Sequence, residues 1–178
     1  MAIKNILVGW TGLPGAEDAL HVAALMARKH DAHLTGLLVH GTSRTAAALA
    51  PWISSSAAAP LVEAERERRA AIAAAFHELT RELERDRPGK THYLEVAAEP
   101  DVGLVEAARV YDIVVVGRDE ADGETAHLAP HPDLLALRCG RPVLIVPPGY
   151  RTERLVDRAI LAWDGGKAAA RALADAMA

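Results

Sequence analysis

Cysteine is almost missing from this chain: Cys139 is the only one. No internal disulfide can staple the fold, and a reducing cytoplasm suits such thiol usage. Aromatic residues make up only 4% of the sequence, so Ala, Val and Leu must carry the burial. No apolar stretch approaches the roughly 18 residues of a membrane-spanning helix. Met1-Ala2-Ile3-Lys4 leads straight into a strand-like run, without the apolar region of a signal peptide. Excess basic charge is absent too: 20 Lys and Arg against 24 Asp and Glu leave a net charge of −4, which argues against nucleic acid or an anionic membrane as partner. No Ser-His-Asp, paired-carboxylate or metalloprotease pattern is present, so nothing argues for catalysis. These absences leave a soluble, cytoplasmic protein of 178 residues, 51% of them apolar, enough for one self-sufficient core.

What the chain does have is an echo of its own beginning. Asn5-Ile6-Leu7-Val8-Gly9-Trp10-Thr11-Gly12 aligns without a gap on Arg158-Ala159-Ile160-Leu161-Ala162-Trp163-Asp164-Gly165, 153 residues later. Trp10 falls on Trp163 and Gly12 on Gly165, and Ala19, Leu20 and Ala23 fall on Ala172, Leu173 and Ala176. A period of this length is about one domain. The expected organisation is a complete α/β domain over 1–149, a linker over 150–157, and the first strand and helix of a second, truncated repeat over 158–178.

Within the first copy, short apolar runs alternate with helical patterns. Ile6 to Trp10, His33 to Val39, His92 to Val96, Ile113 to Val116 and Pro142 to Val146 read as strands. Helical spacing covers about 16–30, 61–85, 101–110 and 132–138. The Ser-, Thr-, Ala- and Pro-rich residues 41–60 read as a long mobile loop, and 118–130 as a polar one. The Glu and Arg of 61–85 read as a solvated helix face. This alternation predicts a doubly wound parallel sheet, with ligands expected beyond the carboxyl ends of the strands, after Trp10, Val39 and Val116.

Three segments carry a resemblance. Lys4-Asn5-Ile6-Leu7-Val8-Gly9, Asp112-Ile113-Val114-Val115-Val116-Gly117 and Arg141-Pro142-Val143-Leu144-Ile145-Val146-Pro147, in this order and spacing, resemble the universal stress protein family. Ala162-Trp163-Asp164-Gly165-Gly166 is similar to the start of a second repeat in its tandem members. The resemblance implies five parallel strands in the order 3-2-1-4-5, an adenine-nucleotide alpha hydrolase-like architecture. It also implies that many relatives bind ATP while others bind no nucleotide, and that dimers often form through the last strand.

ATP-binding members carry an Asp at the end of the first strand and a loop after the fourth that runs Gly, two residues, Gly, nine residues, Gly, then Ser or Thr. Such glycines let backbone N–H groups approach phosphates. Here Thr11 takes the place of the Asp, and Arg118-Asp119-Glu120-Ala121-Asp122-Gly123-Glu124-Thr125 lacks the glycine spacing. Four carboxylates lie in that stretch, each repelling a phosphate by about 1 kcal/mol or more. The expectation is therefore a non-catalytic stress-response or regulatory module with a degenerate ATP site and no cofactor. The alternative is an ATP-binding, slowly hydrolysing member that uses ATP with Mg at Thr11, Gly12, Val39, Gly117 and Arg118. Asp164 and Gly165 keep the Asp-Gly pair in the second copy, though Asp164 also reads as a helix cap.

Other constellations are weaker. Gly9, Gly12 and Gly15 do not have the dinucleotide spacing, and His40 ends the second strand where an acid would be expected. Thr11 also breaks the acidic cluster of a phosphoacceptor receiver. The eight histidines raise a third reading, a metal or small-ligand binder, but Pro130 between His127 and His131 opposes a shared helical face, and His30 and His33 merely flank a turn. Cys139 reads as a small residue packed near a helix end. For partners the expectation is a homodimer through the apolar edge Val143, Leu144, Ile145 and Val146 and the C-terminal segment, together with unknown protein partners.

Overall fold

Ile6, Leu7 and Val8 are wholly inaccessible to solvent, and everything else is arranged around this run. The computed structural model describes residues 2–41, 55–118, 128–155 and 158–177. Its order is β1 (Asn5–Gly9), α1 (Pro14–His30), β2 (His33–His40), α2 (Ser55–Asp86), β3 (Thr91–Ala97), α3 (Pro100–Ala108), β4 (Ile113–Gly117), α4 (Pro132–Arg138), β5 (Val143–Val146) and α5 (Lys167–Ala176). The five strands are all parallel in the order β3-β2-β1-β4-β5, as expected. Ile6 lies level with Leu34 on one side and with Ile113 on the other. The order in which the chain adds strands reverses between β1 and β4, the switch point at which such sheets open a crevice.

Alternation along the strands builds two cores. One face presents Ile6, Val8, Leu34, Leu38 and Val115 to Leu20, Ala23 and Ala27 of α1 and to Ile72, Phe76 and Leu83 of α2. The other presents Leu7, Leu37, Val39, Val114 and Val116 to Leu104, Val105 and Ala108 of α3 and Leu135 of α4. Gly36 is required here, because a Cβ would lie 2.2 Å from the Phe76 ring. Trp10 follows β1, meets Phe76 edge-on at 5.9 Å and donates its indole N–H to the Ile72 carbonyl at 2.9 Å.

Two readings need correction, and one segment is better defined than expected. Helix α2 begins at Ser55, so 55–60 are helical and not loop, with Pro60 inside the helix; residues 42–54 lie outside the described ones. The 150–157 linker is held down as far as it is described. Gly149 N–H donates to the Asp18 carboxylate at 2.6 Å, Arg151 pairs with the same group at 3.0 Å, and Leu155 packs on the first core. His21 Nε2 lies 2.6 Å from the Thr152 carbonyl, which can only accept, so that nitrogen carries the proton. Finally, 158–163 form no strand: a strand exists only through its neighbours, and this segment has none, leaving Ile160 fully exposed. The helix expected in this segment does form, as α5.

Candidate functional site

The carboxyl ends of β1, β2 and β4 are where a ligand would sit, and the expected residues are largely occupied in holding the fold there. Thr11 is buried at 6% exposure, and its hydroxyl accepts the Leu13 N–H at 3.2 Å, closing the turn into α1. Gly12 has φ +72°, and a Cβ on it would meet Ile72 at 2.9 Å. Val39 is buried under α3, where Gly103 permits the approach: a Cβ there would lie 2.6 Å from Val39 Cγ1. A Cβ on Gly117 would lie 2.0 Å from the Gly15 carbonyl oxygen, so the end of β4 is in backbone contact with the first turn of α1. Arg118 is exposed and gives its backbone N–H to the Val146 carbonyl at 3.1 Å.

The structure thus brings Thr11, Gly12, Val39, Gly117 and Arg118 to one end of the sheet. Asp164 and Gly165 are not joined to them. They precede α5, whose Arg171, Ala174 and Asp175 share a groove of about 270 Å³ with Ile3, Asp112, Ile113 and Pro142, at the opposite, amino end of the strands. Asp164 accepts the Gly166 N–H at 2.7 Å in a turn, while the residue that caps α5 is Gly166. The acidic stretch 119–125 and His127 lie outside the described residues.

At the end of β2, the expected position of an acid holds His40, with Nε2 at 3.5 Å from Arg69. Arg69 also pairs with Glu95 at 3.2 Å, and Glu95 accepts the Tyr93 hydroxyl at 3.1 Å. Burial, reinforced by the Glu95 charge, keeps that phenol protonated far above its ordinary range. No group of three or more metal-ligating side chains exists among the described residues. His33 and His92 instead stack, with ring nitrogens 3.2 Å apart. Cys139 is buried at the end of α4, its sulfur 3.4 Å from the Arg141 carbonyl.

Sequence reasoning missed one pair. Asp101, in the first turn of α3, accepts the His131 backbone N–H at 2.7 Å and faces its Nδ1 at 2.8 Å. The two residues are 30 apart in sequence, so no local spacing announces them. A signal did exist, because counting the phosphate-loop pattern forward from Gly117 puts Glu120 and Pro130 at its later glycines and His131 at its Ser or Thr.

A parallel five-stranded sheet in this order, layered on both faces by helices, defines a nucleotide-binding-like α/β domain. The chain belongs to the universal stress protein family, whose model matches residues 2–147. Among solved structures, a universal stress protein from Lactobacillus plantarum is 19% identical with a TM-score of 0.60, over 82% of this chain and 99% of that one. A family member from Burkholderia pseudomallei is 24% identical with a TM-score of 0.56, over 82% and 96%. A universal stress protein in complex with cAMP is 20% identical with a TM-score of 0.57, over 84% and 100%. No curated protein sequence matches the chain. No helix among the described residues is long and apolar enough to cross a membrane.

Proposed function

We propose that this chain is a stress-response or regulatory binding module that works through self-association and protein partners, not through catalysis on ATP. The observation that carries the reading is Thr11. The position where an ATP-binding relative would present a carboxylate holds a buried, uncharged hydroxyl that accepts the Leu13 N–H. The sequence of the loop after β4 supports it: Asp119, Glu120, Asp122 and Glu124 stand where a triphosphate needs donors. Titration of Mg-ATP into the chain in a calorimeter tests the reading. No heat is expected up to millimolar nucleotide, whereas micromolar binding would overturn it.

The self-association we propose is a homodimer through Val143–Val146 and the C-terminal segment, in the reducing cytoplasm. Ile145 is 45% exposed on an edge strand with no charged residue, the kind of edge that soluble proteins keep covered. Residues 158–178 are read as the opening of a second repeat, and Leu161, Trp163 and Leu173 in it are exposed. A monomeric mass at micromolar concentration would remove this part of the reading. The cAMP held by one solved relative favours the second reading, an adenine-nucleotide binder using Thr11, Gly12, Val39, Gly117 and Arg118. The same titration with cAMP separates the two.

A further inference from the structure

The Asp101–His131 pair stands at the carboxyl end of the sheet, where α3 and α4 begin, and neither reading above uses it. The Asp101 side chain is 12% exposed and that of His131 is 68% exposed. Both Asp101 oxygens are committed to this one residue, Oδ1 to its backbone N–H at 2.7 Å and Oδ2 to its Nδ1 at 2.8 Å. A carboxylate has no proton to give, so Nδ1 carries the hydrogen and, in the neutral ring, Nε2 holds the lone pair. Pro130 and Pro132 on either side stiffen the backbone that carries the ring. Among the described histidines no other is paired with a carboxylate: His21 meets a carbonyl, His33 meets His92, and His40 meets Arg69. Beside the pair runs a groove of about 370 Å³ lined by Asp101, Val102, Val105, Glu106, Arg109 and Arg138. Arg109 and Arg138 bring two guanidiniums to this groove against two carboxylates, Asp101 and Glu106, and the Asp101 carboxylate is turned to His131.

We propose that His131 is a phosphoryl-accepting histidine, with Nε2 as nucleophile, Asp101 as its positioning residue, and a small acyl phosphate from solution as the donor. The Nε2 lone pair attacks phosphorus, an N–P bond forms, and the P–O bond to the acyl oxygen breaks, releasing a carboxylate. Nothing is oxidised or reduced, and no proton leaves. The ring keeps its Nδ1 hydrogen and becomes cationic, and the Asp101 carboxylate across the 2.8 Å hydrogen bond offsets that charge. A side chain this exposed suits a donor arriving from solution better than a substrate enclosed for hydrolysis. A phosphorylated His131 would place a dianion at the ligand end of the sheet, an input suited to a module that signals through partners.

The test is incubation of the full chain with acetyl phosphate, followed by intact mass measurement and peptide mapping of acid-labile, base-stable phosphate. One phosphoryl group per chain is expected, on Nε2 of His131. His131→Gln should abolish it, and Asp101→Asn should slow it about tenfold or more. Melting curves check that the variants are folded. If Asp101→Asn does not fold, the distribution of label over the eight histidines of the native chain still decides. No incorporation, label spread over the histidines, or an unchanged rate in a folded Asp101→Asn would each overturn the proposal.

Discussion

Residues 5–23 and 158–176 have nearly the same pattern of residues and two different fates. In both, a turn is made by a glycine in the left-handed region, Gly12 at φ 72° and Gly165 at φ 76°. In both, a helix follows at the same offset, α1 from Pro14 and α5 from Lys167. The strands differ completely. Val8 is wholly buried between β2 and β4, while its counterpart Leu161 is 40% exposed and unpaired; Trp10 is at 0% and Trp163 at 58%. Helix and turn are satisfied by hydrogen bonds within the segment, so they form wherever the residues permit. A strand is half of an interaction, and its pattern is mute until a neighbour is supplied.

The tryptophans should show the largest contrast. Trp10→Ala removes a fully buried ring, its bond to the Ile72 carbonyl and its edge contact with Phe76, at a cost of about 3–5 kcal/mol. Trp163→Ala should change stability by no more than about 0.5 kcal/mol. Denaturant titration of the two variants measures the difference. A comparable loss at Trp163 would show that the tail is packed into the core in solution.

This contrast also explains what was legible in the sequence. Helix α4 was readable to the residue, because Pro132 opens it and Gly140, at φ 67°, lies just past its end. The order of the sheet followed from the resemblance, and strand positions from β-branched runs such as Ile113–Val116. Ser55–Pro60 went unread as helix because Ser and Pro argue locally for a loop. Ala159–Trp163 was misread because it carries the apolar pattern of β1 without the neighbours. At the site, Thr11 in place of a carboxylate could be seen from one position. The closure of Gly117 on Gly15 and the Asp101–His131 pair depend on how distant segments meet, which no local pattern encodes.

The glycines sharpen the comparison at a smaller scale. Gly12→Ala forces an L-residue into the left-handed region, at roughly 1–2 kcal/mol, and also displaces Ile72 from a 2.9 Å contact. Gly165→Ala meets the same backbone strain but nothing within 4 Å, in a segment that buries little. A loss of about 2 kcal/mol or more in global stability is expected for the first, by denaturant titration. For the second, no resolvable loss is expected, only fraying at the start of α5 seen by amide exchange. Equal effects would mean that the tail unfolds together with the domain.

The smallest effect is expected at a junction built, like the Gly165 turn, from local hydrogen bonds. Glu84, near the end of α2, accepts the Gly89 N–H at 2.7 Å and the Thr91 N–H at 3.2 Å, and so fixes where β3 begins. The Gly89 bond, with that from the Thr91 N–H, holds its carboxyl below the ordinary value of 4.5. A carboxylate with a depressed folded value contributes stability above the unfolded value. That contribution is lost as pH falls below 4.5 and through the folded value. The group is exposed, so water competes for both bonds and the slope it adds to the acid limb is slight. Glu84→Gln should flatten that limb a little while leaving stability at neutral pH nearly unchanged. Urea midpoints measured between about pH 3 and pH 7 test this. An unchanged acid limb would mean that β3 is positioned by its pairing with β2 alone, which would put this junction with the strands and not with the turns.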